Sequence, residues 1–129
     1  MVIGLGLDVA SIERIEATIV SARGQRFLDR VFLPKERALC DARKDRAAAY
    51  AARFAAKEAF VKALAVPKGI SWHDIEVVRG LRGSPALRLT GRAAQEIERR
   101  QAEVMLTISH DAGVAVAVVV VTGTRRPRR

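Results

Sequence analysis

Apolar positions along this chain recur with two different spacings, and the change from one to the other divides it into elements. Residues 2–7 are a short apolar run containing Gly4 and Gly6 and ending at Asp8, which predicts a first strand. Ile12, Ile15, Ile19 and Val20 then recur at helical spacing, with Ser11 as an N-cap before them and Gly24 as a stop after them. Residues 25–31 predict a further turn or two of helix, and Pro34 at a first helical position opens a short segment through Cys40. The clearest element is a long, alanine-rich helix over 45–64, followed by a loop over 65–71 that contains Pro67 and Gly69. Residues 72–79 alternate as a strand does, 80–83 read as a hairpin connection, and 86–89 as the partner strand. Thr90 is placed to cap a helix over 91–101. Residues 104–109 alternate again, 110–113 predict a turn, and 114–121 are apolar throughout, as a central strand is.

This order predicts an α+β fold with helices packed on a mainly antiparallel sheet. No repeat or linker interrupts it, so one small domain is expected over 1–124, with 125–129 as a basic disordered tail. At 129 residues and 50% hydrophobic content, the chain can bury a real core, which excludes a disordered protein. A single cysteine, Cys40, excludes a disulfide scaffold and a Cys-rich zinc module; it reads as a passive buried thiol. The N-terminus lacks a basic leader and the apolar runs are too short for a bilayer, so a soluble, cytoplasmic protein without a membrane partner is expected.

The formal charge of +9 changes the picture of partners. Four of those charges sit in the tail, at Arg125, Arg126, Arg128 and Arg129, which leaves +9 − 4 = +5 on the rest. Such a balance attracts phosphates and acidic proteins. A non-enzymatic, basic nucleic-acid-binding module is the alternative reading. Against it, aromatics are only 5% and mostly occupy apolar patterns instead of interleaving with arginine, so no nucleic-acid partner is expected.

On a helical wheel of the long helix, Tyr50, Phe54, Phe60, Val61 and Leu64 cover one arc and alanines most of the other. A helix apolar nearly all round is buried, yet this one carries Arg53, Lys57, Glu58 and Lys62. Glu58 and Lys62 are either a helical ion pair, worth about 0.3–0.5 kcal/mol, or groups facing a partner that stays charged, such as a cation with phosphate. The wheel leaves both open. The run Gly4-Leu5-Gly6-Leu7-Asp8 is neither a dinucleotide fingerprint nor a P-loop; the glycines also suit close strand packing. Asp8 is a helix-entry cap or a ligand. Ser109 and His110, with Asp111 beside them, either donate to a phosphate or base or form an exposed turn, and their consecutive positions imply no catalytic triad.

Taken in order, several segments carry a resemblance. They are Gly4–Asp8 with Arg14-Ile15; Arg53-Phe54-Ala55-Ala56-Lys57-Glu58-Ala59 with Lys62-Ala63; Trp72-His73-Asp74-Ile75-Glu76-Val77; Gly83-Ser84-Pro85; Leu89-Thr90-Gly91; and Ile108-Ser109-His110. From residue 2 to about residue 121 the chain resembles the holo-acyl-carrier-protein synthases, the small trimeric class of phosphopantetheinyl transferases. The resemblance implies Mg²⁺-dependent transfer of phosphopantetheine from coenzyme A to a serine of an apo acyl carrier protein, releasing adenosine 3′,5′-bisphosphate. It implies that Asp8 and Glu58 hold the Mg²⁺ and that Lys62 neutralises phosphate oxygens. Arg53 and Lys57 would also bind the coenzyme, and Ser109 and His110 would contact its nucleotide end. Arg14, Arg23 and Arg26 would meet the acidic carrier, in a homotrimer with sites at subunit boundaries. The first choice of base for the carrier serine is Glu58 acting through a water; the second is Asp111 beside His110. One segment departs from the family pattern. A Gly-rich loop usually follows the helix, whereas this chain reads Ala65-Val66-Pro67-Lys68-Gly69, with Lys68 as a possible side-chain substitute.

Overall fold

A computed structural model describes residues 1–65 and 69–124. The chain forms β1 (Val2–Ser11), α1 (Ile12–Val20), α2 (Gly24–Val31), α3 (Pro34–Asp41), α4 (Arg46–Ala63), β2 (Ile75–Arg79), β3 (Pro85–Leu89), α5 (Gly91–Arg99), β4 (Ala102–Asp111) and β5 (Val114–Gly123). It is an α+β fold with antiparallel pairing throughout, as the sequence predicts. The strands form two sheets, however: three strands in the order β1-β5-β4, and the separate pair β2-β3. Residues 66–68, including Pro67 and Lys68, and the expected tail at 125–129 lie outside the described residues. Among the described residues no helix is long and apolar enough to cross a membrane.

Two boundaries differ from expectation for local reasons. Residues Trp72–Asp74 form a 3₁₀ turn instead of starting a strand. There the Ser71 hydroxyl accepts from the His73 N–H at 3.3 Å while Asp74 Oδ2 accepts from the Ser71 N–H at 3.1 Å. The last hairpin is tighter than expected. β4 runs on through His110 and Asp111, and the chain reverses at Ala112 (φ 52°) and Gly113 (φ 81°). Paired positive φ values match the twist of the flanking strands.

α4 presents two unlike faces. Its small face, Ala55, Ala59 and Ala63, is buried together with Ala115, Ala117, Val119 and Val121 of β5. Gly4 and Gly6 of β1 make the approach possible: a Cβ on Gly6 would lie 1.8 Å from the Ala59 carbonyl oxygen, and one on Gly4 2.4 Å from that of Ala63. The close-packing reading of these glycines therefore holds. On the other face Tyr50 is fully buried, its ring 4.9 Å from that of Phe32 at the end of α2. Burying a side chain of this size contributes about 1.5–3 kcal/mol.

Among the described residues, no helix covers the far face of the three-stranded sheet. Register places Leu5, Val120 and Met105 in one row, Leu7, Val118 and Thr107 in the next, and Val9, Val116 and Ser109 in a third. Leu5, Leu7, Val9 and Met105 are between 53% and 64% exposed.

Candidate active site

The contact between β1 and α4 that the glycines permit also brings charged groups together. Asp8 follows Gly6 on the helix-facing row of β1, and Lys62 lies one turn beyond Glu58 on α4. Lys62 Nζ donates to Asp8 Oδ1 at 2.9 Å and to the Leu7 carbonyl at 3.1 Å. The Asp8 side chain is 14% exposed and that of Lys62 52%. Both sequence-level alternatives are thereby narrowed. Ser11, not Asp8, caps α1, its hydroxyl accepting from the Arg14 N–H at 3.2 Å. Lys62 bonds Asp8 across elements instead of pairing along the helix with Glu58.

Electrostatics joins the three groups. Burial, and then the Asp8 charge, push the Glu58 carboxyl above its ordinary value, with Lys62 opposing. The hydrogen bond and charge of Asp8 raise the Lys62 ammonium. Two carboxylates that repel each other, with an ammonium already between elements, suit a hard cation. Mg²⁺ typically takes one or two carboxylates and completes its shell with water and substrate phosphate. Among the described residues no group of three or more His, Cys, Asp or Glu side chains is placed to hold a metal ion; Asp8 and Glu58 are two hard carboxylate donors of the kind Mg²⁺ takes.

Arg53 lies on another side of α4, towards Cys40 and Lys57: its Nη1 donates to the Ala49 carbonyl at 3.2 Å while its Nε is buried with no hydrogen-bond partner among the described residues. His110 shares the helix-facing side of the sheet, in a row with Ala115 and Ala10. It is close enough to the start of α4 to act on Asp45, whose carboxyl is held low chiefly by Arg43 and slightly by His110. Strand alternation sends Ser109 and Asp111 to the opposite face. Ser109 and His110 therefore do not converge within one chain. Asp111 sits at the hairpin tip, where its Oδ1 accepts from the Ala112 N–H at 2.8 Å, so it is not brought to Asp8 or Glu58 as a second base.

Lys57 needs the largest correction. It is fully buried, and its Nζ is engaged inside the core, donating to Glu36 Oε1 at 2.6 Å and to the Val31 carbonyl at 2.7 Å. On the wheel it falls between Leu64 and Tyr50, in the middle of the large apolar arc, and that position is the signal that marks it as a core residue. Glu36, its partner, carries no such signal in the sequence.

Arg14 on α1, Arg23 at the N-cap of α2 and Arg26 within α2 are all exposed. An open depression lined by Ala17, Thr18, Ser21, Ala22 and Arg23 lies at the far end of α1, not at the carboxylates. Cys40 is wholly buried and burial pushes its thiol up to about 11, in keeping with a passive role.

The comparisons with known proteins concern nearly the whole chain. Residues 4–119 match the family model described as the 4′-phosphopantetheinyl transferase superfamily. The chain is 57% identical over 127 residues to a holo-[acyl-carrier-protein] synthase of Anaeromyxobacter sp. (strain K), covering 96% of this chain and 98% of that protein. It is 53% identical over 117 residues to that of Myxococcus xanthus, covering 91% and 92%. Among solved structures, the holo-[acyl-carrier-protein] synthase of Neisseria meningitidis superposes with a TM-score of 0.83 at 29% identity, covering 95% of this chain and 99% of that one. The Helicobacter pylori synthase, solved in complex with coenzyme A, gives 0.77 at 35% identity, covering 92% and 99%. Sequence and backbone thus agree almost from end to end, and the chain belongs to the 4′-phosphopantetheinyl transferase superfamily.

Proposed function

We propose that the protein is a holo-acyl-carrier-protein synthase, moving phosphopantetheine from coenzyme A to a serine of an apo acyl carrier protein and releasing adenosine 3′,5′-bisphosphate. The observation that carries this reading is the meeting of Asp8, Glu58 and Lys62 at the β1–α4 contact. The names of the similar proteins and the coenzyme bound to the Helicobacter pylori relative support it. In the reaction, the serine oxygen attacks the phosphorus that carries pantetheine. The pyrophosphate P–O bond breaks, and the adenosine bisphosphate leaves with the bond's electron pair.

Asp8 and Glu58 are the residues that would hold Mg²⁺, which would neutralise charge on the pyrophosphate as it is cleaved. Glu58 would take the serine proton by way of a water. Lys62, half-exposed at the rim, supplies positive charge to the phosphate oxygens. Arg53 of α4, with its buried Nε, and His110 on the helix-facing side of the sheet would bind the nucleotide end. The exposed Arg14, Arg23 and Arg26 would steer an acidic carrier towards the site.

The uncovered apolar sheet face supports assembly as a homotrimer, with Ser109 facing a neighbour so that each site lies at a subunit boundary. A lone free thiol and no helix suited to a membrane, among the described residues, are in keeping with a cytoplasmic enzyme. The division into a transferase domain over 1–124 and a tail over 125–129 is part of the same proposal.

The test is intact-mass spectrometry of an apo carrier protein incubated with the enzyme, coenzyme A and Mg²⁺. A gain of one phosphopantetheine on the serine is expected. An unchanged carrier, with folded enzyme and all components present, would contradict the proposal.

A further inference from the structure

The buried pair Lys57–Glu36 takes no part in the chemistry above, yet it occupies the centre of the molecule. The Lys57 and Glu36 side chains are 0% and 1% exposed. Lys57 Nζ donates to Glu36 Oε1 at 2.6 Å, to the carbonyl of Val31, the last residue of α2, at 2.7 Å, and to the carbonyl of Trp72 at 3.3 Å. Glu36 Oε1 accepts from the Leu33 N–H at the start of α3, and Oε2 from the Val77 N–H of β2, both at 3.0 Å. No helix or sheet ladder joins α2, α3, the Trp72 turn and β2 to α4; this one ion pair bonds to the backbone of each. Both charges are withdrawn from water, so holding them here is a cost to the fold. A buried ion pair replaced as a unit by apolar groups of similar size often leaves stability unchanged or improved. Stability alone therefore does not account for the arrangement. Geometry does: Lys57 is the residue directly before Glu58, and what it grips is the end of α2, the helix that has Arg23 at its N-cap and carries Arg26.

We propose that Lys57 and Glu36 are positioning residues that set the docking helix α2 in register with Glu58 on α4, so that the carrier serine arrives where its proton can be taken. This rests on the reading of Arg23 and Arg26 as carrier-docking groups. The pair acts through α2 and Glu58 and touches neither substrate.

The experiment compares saturation curves in carrier and in coenzyme A, with folded protein quantified by urea unfolding, for wild type and for Lys57→Met/Glu36→Leu. A second variant, Lys57→Met/Glu36→Gln, keeps an acceptor oxygen for one of the Leu33 and Val77 N–H groups should the first not fold. The expected result is a folded enzyme whose kcat/KM for the carrier falls at least about tenfold, while its KM for coenzyme A and its unfolding midpoint change little. Unchanged kinetics per folded molecule, an equal rise in KM for both substrates, or failure of both variants to fold would each overturn the proposal, because the pair would then serve the fold alone. Arg23→Glu/Arg26→Glu is run beside them. A carrier KM left unchanged in that control contradicts the docking reading itself. A raised KM there, with normal kinetics in the pair variants, contradicts only the role of the pair.

Discussion

Carboxylates resist ionisation when water is withdrawn, and Glu58 is half-buried beside a second carboxylate with Lys62 as the offsetting charge. Its carboxyl titrates above the ordinary value, so the native state holds that proton more tightly than the unfolded chain does. The associated stability is complete below the unfolded pKa and is lost as pH rises through the raised folded one. At neutral pH without Mg²⁺ the ionised Glu58 thus works against the fold. Glu58→Gln is expected to melt at or above the wild-type temperature under those conditions, and to lose part of the wild type's gain in relative stability on acidification. Thermal unfolding from about pH 4 to about pH 8 would check both; a clear drop in melting temperature at neutral pH would contradict the electrostatic account. Individual residues were legible in the sequence to unequal degrees. Asp8, Glu58 and Lys62 stood out as charges in apolar runs. Lys57 stood out equally, but a wheel shows where a charge points and not what receives it. Glu36 lies 21 residues away in sequence, and only the folded chain joins the two.

At the scale of elements, the spacing rules did well where one face is apolar and poorly where local hydrogen bonding competes. The helices over 12–20 and 46–63 and the strand over 114–123 follow their apolar periods. The Trp72–Asp74 turn does not, because Ser71 and Asp74 bond the nearby backbone before a strand can form. The sequence predicts a turn over 110–113, but the reversal needs only Ala112 and Gly113, so His110 and Asp111 stay in the strand. Both kinds of backbone constraint can be tested. Gly6→Ala would place a methyl group 1.8 Å from the Ala59 carbonyl oxygen, forcing α4 off β1. It should cost upward of about 3 kcal/mol in urea unfolding; a loss under about 1 kcal/mol would mean the two elements can separate freely. Ala112, at φ 52°, occupies a conformation that asparagine tolerates better. Ala112→Asn should stabilise the protein by about 0.5–1 kcal/mol, and destabilisation on denaturant unfolding would show that the turn's shape is set elsewhere.

At the scale of the whole molecule, the sheet has α4 over one face, and its other face is apolar yet exposed among the described residues. Leu5 and Met105 flank Val120 in a single row and are 64% and 61% exposed, which is costly for a chain that stays alone. Wild type should sediment as a trimer, and Leu5→Lys/Met105→Lys as a monomer with its helix content retained. A wild-type monomer at full activity would contradict the subunit-boundary site. Alternation in the sequence marks this face as apolar, but strands buried on both sides in one chain or between chains read alike, so the period cannot say which. The assembled account stands or falls on the carboxylates. Its most direct test is the single-turnover rate of phosphopantetheine transfer, at saturating coenzyme A, Mg²⁺ and carrier, for wild type, Asp8→Asn and Glu58→Gln, each verified as folded. The account predicts that Glu58→Gln slows transfer by about 10²- to 10⁴-fold and that Asp8→Asn falls at least as far. A folded variant of either residue that transfers within about tenfold of wild type would contradict it.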